Sequence, residues 1–304
     1  MEHSVYQGKA ILTSLLAAAL QKPRRAFEYG CVWPTRTTLL TSLIAFIVCI
    51  VAVKFSFDAW SVSEARHLPR WLVNLSGQIS WYGKSGWLLW PIAGLLLVCL
   101  LAGARTVSRF DRLTLSAVSM RLTFLLVAVA LPGLLAAILK PLIGRARPFA
   151  LGQDDVFLYV PFAYFRELLF GTMAYPEYVY GSMPSGHATN AFAIAIAFGA
   201  LWPRLRPLLW TFAVAIATTR LIIVVHHPTD VLVGAAIGTL GALAIRNYFA
   251  ARRWVFAVDA TGHVYAKPGP QLRDFAGVLM RLWRRPATKS TVSGFPEADA
   301  RARS

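Results

Sequence analysis

Residues 86–104 read GWLLWPIAGLLLVCLLAGA, a run of 19 residues without a charged side chain. At a helical rise of about 1.5 Å per residue, such a run comes close to crossing the roughly 30 Å hydrocarbon core of a bilayer. Two more windows, Thr37 to Val53 and Leu122 to Leu139, are equally free of charge. Three shorter and more polar ones follow: Ser185 to Trp202, Leu208 to Val225, which carries Arg220, and Asp230 to Ile245. None alternates apolar and polar residues in the short pieces a membrane barrel needs. The expected architecture is therefore all-α, a polytopic membrane protein with six transmembrane helices.

The composition agrees. Of 304 residues, 57% are hydrophobic and 15% charged, with a mean hydropathy of +0.54. That balance excludes a soluble enzyme, a fibre and a disordered tail protein. Cys49 and Cys99 lie inside apolar runs and Cys31 has no evident partner, so there is no disulfide scaffold. The 31 Lys and Arg against 14 Asp and Glu leave a net charge of +17. On a soluble chain this excess would suggest nucleic acid. On an apolar chain, positive-inside topology and anionic headgroups explain it, and no nucleic-acid partner is expected.

Six spans place both termini on one side. That side, comprising residues 1–36, the second-to-third and fourth-to-fifth connections and everything from Arg246 onward, carries 22 of the 31 basic residues. The termini are expected in the cytoplasm and the opposite face in the periplasm of a bacterial inner membrane. Three regions follow: a cytoplasmic segment over 1–36, the six-span domain over 37–248 and a basic cytoplasmic tail over 249–304. In the first, Ala10 to Leu20 is too short to span and reads as an interfacial helix or an uncleaved signal-like segment. In the tail, Trp254–Val258 and His263–Ala266 read as a hairpin. Leu272, Phe275, Leu279 and Leu282 then recur at helical spacing among arginines, as a helix on anionic inner-leaflet lipid or a packed surface helix. Residues 286–304 read as disordered.

Ionisable residues at membrane depth are costly and mark function unless a partner explains them. Three clusters qualify: Lys140 to Pro148, Gly181 to His187, and Thr219 to Asp230. On the expected topology all three reach the outer face. Lys140, Arg147 and Arg220 are cations without a neighbouring carboxylate apart from Asp230, and converging cations call for a polyanion. Arginine offers a planar fork to phosphate oxygens and lysine a point charge. Ser185 is a plausible N-cap at a helix start whose free N–H groups favour phosphate, and Gly186 admits close approach of the backbone. His226 and Asp230 stand four apart, so the carboxylate is placed to fix one imidazole nitrogen and leave the other for attack. His187 would then protonate the departing oxygen. His227 reads as a bystander, though a swap of roles with His226 stays open. Zinc bound by His187, His226, His227 and Asp230 is disfavoured by the three cations, so no metal or other cofactor is expected.

Taken in order, the clusters resemble the signature of the type 2 phosphatidic acid phosphatase (PAP2) superfamily. Lys140 and Arg147-Pro148 fit its first motif, Pro184-Ser185-Gly186-His187 its second, and Arg220, His226 and Asp230 its third, with Thr219 where Ser is usual. The resemblance covers roughly residues 37 to 248. It implies metal-independent hydrolysis through a phosphohistidine at His226, oriented by Asp230. It also implies His187 as general acid and Lys140, Arg147, Ser185, Gly186 and Arg220 as phosphate ligands. Bacterial members act on undecaprenyl pyrophosphate, phosphatidylglycerophosphate or the 1-phosphate of lipid A, and some transfer phosphate between lipids. The expected partner is a membrane lipid phosphate, with the aromatic segment Phe149–Met183 as an interfacial lid or a belt anchor. A transporter is the rival reading, but its ionisable groups would line a path near the midplane.

Overall fold

The computed structural model describes residues 34–106, 108–150, 158–162 and 177–284. The expected short helix at 10–20, most of the aromatic segment and the tail beyond 284 lie outside these.

Helix α1 spans Arg36–Ser56, opened by Thr35, whose hydroxyl accepts from the Thr38 N–H at 3.2 Å. A short helix α2, Asp58–Arg66, and the amphipathic α3, Arg70–Ser80, lead to α4, Gly86–Arg105. Helix α5 runs Arg109–Ile143 and stops where Gly144 takes the left-handed conformation at φ 62°. Then come α6, Gly186–Leu201, α7, Arg206–Ile222, and α8, Pro228–Ala251. Strands β1, Phe256–Val258, and β2, Val264–Ala266, pair antiparallel, and α9 covers Leu272–Arg284.

Among the described residues, five stretches are long and apolar enough to cross a membrane: Arg36–Ser56, Arg70–Ala104, Arg109–Ile143, Pro203–Ile222 and Pro228–Ala251. Gly186–Leu201 is apolar but shorter, at 16 residues. The helices outrun their charge-free windows. α5 starts at Arg109, 13 residues ahead of its charge-free window, and α8 passes residue 248, the expected end of the membrane domain. α1 buries none of its residues, as suits a helix facing lipid on nearly all sides.

The core lies between α5, α6 and α8. Phe124, Ala128 and Val129 of α5 meet Ala193, Ile194 and Ala197 of α6, with Ala242 and Phe249 of α8. Gly234 and Gly238, four apart on α8, face the backbone of α6. A Cβ at Gly238 would lie 2.2 Å from the Thr189 carbonyl oxygen, and one at Gly234 2.4 Å from that of Ser185. Without a hydrophobic drive between helices in lipid, small residues allow this approach and the packing contacts hold it. The result sets the start of α6 against the start of α8.

The hairpin closes the other end of the bundle. Val255, Phe256 and Val264 are buried in the main core, and the Phe256 ring meets Phe124 edge-on at 4.8 Å. Arg121 donates to the Lys267 and Pro268 carbonyls at 2.9 and 3.1 Å. Helix α9 packs on the bundle: Val278 is fully buried beside Cys99 and Leu115, and Arg281 pairs with Asp111 at 2.6 Å. Leu272 and Met280 stay exposed.

Candidate active site

The segment after α5 is held between two others. Ala146 donates to Leu158 and Val160 to Gly144, while Arg147 donates to Val179 and Ser182 to Arg145, all backbone bonds of 2.8–3.0 Å. This clamp fixes the backbone of the first cluster against the second. The third follows from the end of α7, where Val224 takes φ 55°, an uncommon conformation for a β-branched residue. The chain turns there, and His226 arrives ahead of α8.

All three clusters meet. Ser185 sits at the N-cap of α6, and its N–H donates to the Asp230 carbonyl at 3.0 Å. Its hydroxyl makes no capping bond, contrary to the N-cap expectation, and is buried without a partner. A Cβ on Gly186 would touch only the Lys140 side chain, at an ordinary 3.8 Å, so close backbone packing does not require glycine there. Lys140 Nζ donates to the Gly181 carbonyl at 2.8 Å. Arg220 Nη1 donates to the Ser80 hydroxyl on α3. His187 lies within electrostatic reach of Arg220, His226 and Lys140, and Arg220 within reach of Arg147. Burial lowers the pKa of Arg147, while the Asp230 charge acts the other way. The Nε groups of Arg147 and Arg220 are buried and unpartnered. Together with the Ser185 hydroxyl they are hydrogen-bonding groups that an anion would satisfy.

Asp230 is fully buried at the first turn of α8. His226 Nδ1 lies 3.8 Å from its Oδ2, beyond hydrogen-bond length, because α8 begins at Pro228 and leaves His226 outside the helix. Ser182 stands between them: its hydroxyl donates to Asp230 Oδ2 at 2.6 Å and lies 3.5 Å from His226 Nδ1. His227, read as a bystander, is the N-cap of α8. Its N–H donates to Asp230 Oδ2 at 2.9 Å, with Nδ1 at 3.3 Å. Burial pushes the His226 imidazole down to about 3, against the pull of Asp230. That keeps it neutral, as a nitrogen nucleophile must be.

Two residues that the motifs did not single out complete the arrangement. Arg145 is fully buried, with Nη1 2.7 Å from Asp230 Oδ1 and Nη2 2.7 Å from Asp58 Oδ2. Asp58, also fully buried, accepts from the Thr229 N–H at 3.1 Å and its hydroxyl at 2.6 Å. Burial alone would lower the Arg145 pKa, but the two carboxylates more than offset it and raise it.

The PAP2 superfamily model matches residues 121–254. A protein of Rhizobium johnstonii named lipid A 1-phosphatase is 30% identical over 243 residues, 78% of this chain and 87% of that protein. One of the same name from Rhizobium etli is 31% identical over 197 residues, 65% of this chain and 73% of that one. A solved PAP2-type phosphatidylglycerolphosphate phosphatase from Bacillus subtilis overlays with a TM-score of 0.46 at 21% identity, covering 69% of this chain and 94% of that one. That overlap is too loose to bring substrate or site residues with it. The matched motif region, and two relatives aligned over most of their length, establish that the chain belongs to the PAP2 superfamily and, with it, to the phosphoric ester hydrolases.

Proposed function

We propose that this membrane lipid phosphatase removes the 1-phosphate of lipid A at the periplasmic face of the inner membrane through a phosphohistidine at His226. The observation that carries the reading is the meeting of three cations and an unpartnered Ser185 hydroxyl around the buried His226 and Asp230. The names of both Rhizobium relatives support the choice of lipid.

In this mechanism Lys140, Arg147 and Arg220 hold the non-bridging oxygens and offset their charge, which carries most of the rate in phosphoryl transfer. Ser185 and the Gly186 N–H at the start of α6 add neutral donors. His226 Nε2 attacks phosphorus, a P–N bond forms and the bond to the lipid oxygen breaks. His187, charged once the bound phosphate dianion offsets the surrounding cations, gives that oxygen its proton. Asp230 stabilises the charged imidazole, with Ser182 between the two. Water then attacks the phosphohistidine, His187 takes its proton, and inorganic phosphate leaves with His226 restored.

The purified full chain, given lipid A in detergent, is expected to release one phosphate per lipid from the 1-position. His226→Ala should abolish both release and the acid-labile phosphoenzyme trapped in a rapid quench. Release that survives in His226→Ala would sink the phosphohistidine, and phosphate found on a lipid acceptor rather than in solution would replace hydrolysis with transfer. A wild type that spares lipid A but hydrolyses undecaprenyl pyrophosphate would change the substrate and keep the chemistry.

A further inference from the structure

The chain Asp58–Arg145–Asp230 is buried from end to end, with all three residues at 0% exposure. Its members come from the first turn of α2, the loop after α5 and the first turn of α8. Asp58 is 87 residues from Arg145, which is itself 85 from Asp230. Arg145 binds one oxygen of Asp230, Oδ1, while the other, Oδ2, receives Ser182 and the His227 N–H and faces His226. The guanidinium therefore sets the rotation of the Asp230 carboxylate.

Arg145 also has an electrostatic cost. A cation 2.7 Å from Asp230 cancels much of the negative potential that a charged His226 would need beside it. Asp58 supplies a second negative charge on the far side of the guanidinium, so the buried trio carries a net −1 rather than zero. Its other contacts fit the same place: Oδ1 accepts the Thr229 N–H in the first turn of α8, where a carboxylate opposes the positive end of the helix.

We propose that Asp58 and Arg145 are positioning residues for the phosphoryl-transfer step: Arg145 fixes the orientation of Asp230, and Asp58 restores the negative charge that Arg145 would otherwise cancel. Neither touches substrate. Both act through Asp230, and the inference rests on the assignment of His226 as nucleophile.

The test is a charge-balanced cycle, read on lipid A in detergent with the purified full chain. Asp58→Asn keeps the shape and brings the trio to zero charge. Arg145→Gln brings it to −2. The double variant Asp58→Asn/Arg145→Gln returns it to −1 with neutral groups that still hydrogen bond. Asp58→Asn should lower kcat by about 10- to 100-fold, the scale of a small misplacement at a catalytic group, and leave KM within about twofold. The double variant should recover at least about threefold of that loss, since the net charge next to His226 is restored.

A purely structural role gives the opposite order: with both ion pairs gone, the double variant would be slower than either single variant, and the inference fails. It fails also if Asp58→Asn keeps full kcat. Should Asp58→Asn not fold, the double variant is read alone, and a kcat as low as that of Asp230→Asn overturns the proposal while one within about tenfold of wild type supports it. A wild type that does not act on lipid A is a failure of the substrate assignment, and the same cycle is then run on undecaprenyl pyrophosphate. Turnover that survives His226→Ala is a failure of the nucleophile assignment.

Discussion

His226 is 2% exposed, and its pKa is pushed from 6.5 down to about 3 by burial. An unfolded chain takes up a proton on this imidazole near pH 6.5, whereas the native chain refuses it until about pH 3. Within that window the unfolded state binds more protons, so the contribution to stability is intact above 6.5 and is lost as the pH falls toward 3. Thermal unfolding in detergent should show a midpoint that drops on acidification from pH 7.5 toward about 4.5, and less steeply in His226→Gln. Equal slopes would assign the acid sensitivity to other groups. The motif residues were legible because their spacing puts them at helix ends. Arg145 was not, although it stands inside the first cluster: its partner Asp58 is 87 residues away, and nothing local marks that pairing. Ser182 escaped for a similar reason, since a serine two residues before Pro184 reads as turn chemistry until Asp230 is seen 2.6 Å from its hydroxyl.

Helices were legible as apolar runs, and their ends were not. A charge-free window finds the part of a helix inside lipid, while α5 keeps its hydrogen bonds through Arg109, Arg112 and Arg121 before it enters. Packing between helices was also hidden. Gly234 and Gly238 lie in an apolar stretch like any other, but they decide how near α8 comes to α6 and hence where Ser185 and His187 stand relative to Asp230. Gly238→Ala must push the helices apart, since its Cβ would fall 2.2 Å from a backbone oxygen that has no rotamer to escape by. The expected cost is about 1–3 kcal/mol, with a fall in kcat beyond what the lost stability explains. Gly94→Ala on α4, where nothing lies within 4 Å, is the control that should change neither. If both variants behave alike, the glycine pair does not set the site.

The whole molecule is lopsided in charge and in depth. Its excess of basic residues reads as orientation, while the cations proposed to do chemistry are few and stand at the other end of the bundle. The hairpin expected in the basic tail supplies Val255 and Phe256 to the core, a contribution that hydropathy cannot show over strands of three residues. The 16 residues of α6 carry a further consequence. At about 1.5 Å per residue it reaches about 24 Å, against roughly 30 Å for the hydrocarbon core. On the proposed topology the site at its outer end therefore sits several ångströms below the plane of the surrounding headgroups. A thick bilayer must dimple, or its lipid must sink, before phosphate meets His226. Turnover in vesicles should then be several-fold faster with 14-carbon than with 22-carbon acyl chains, and the difference should vanish in detergent, where no thickness has to be matched.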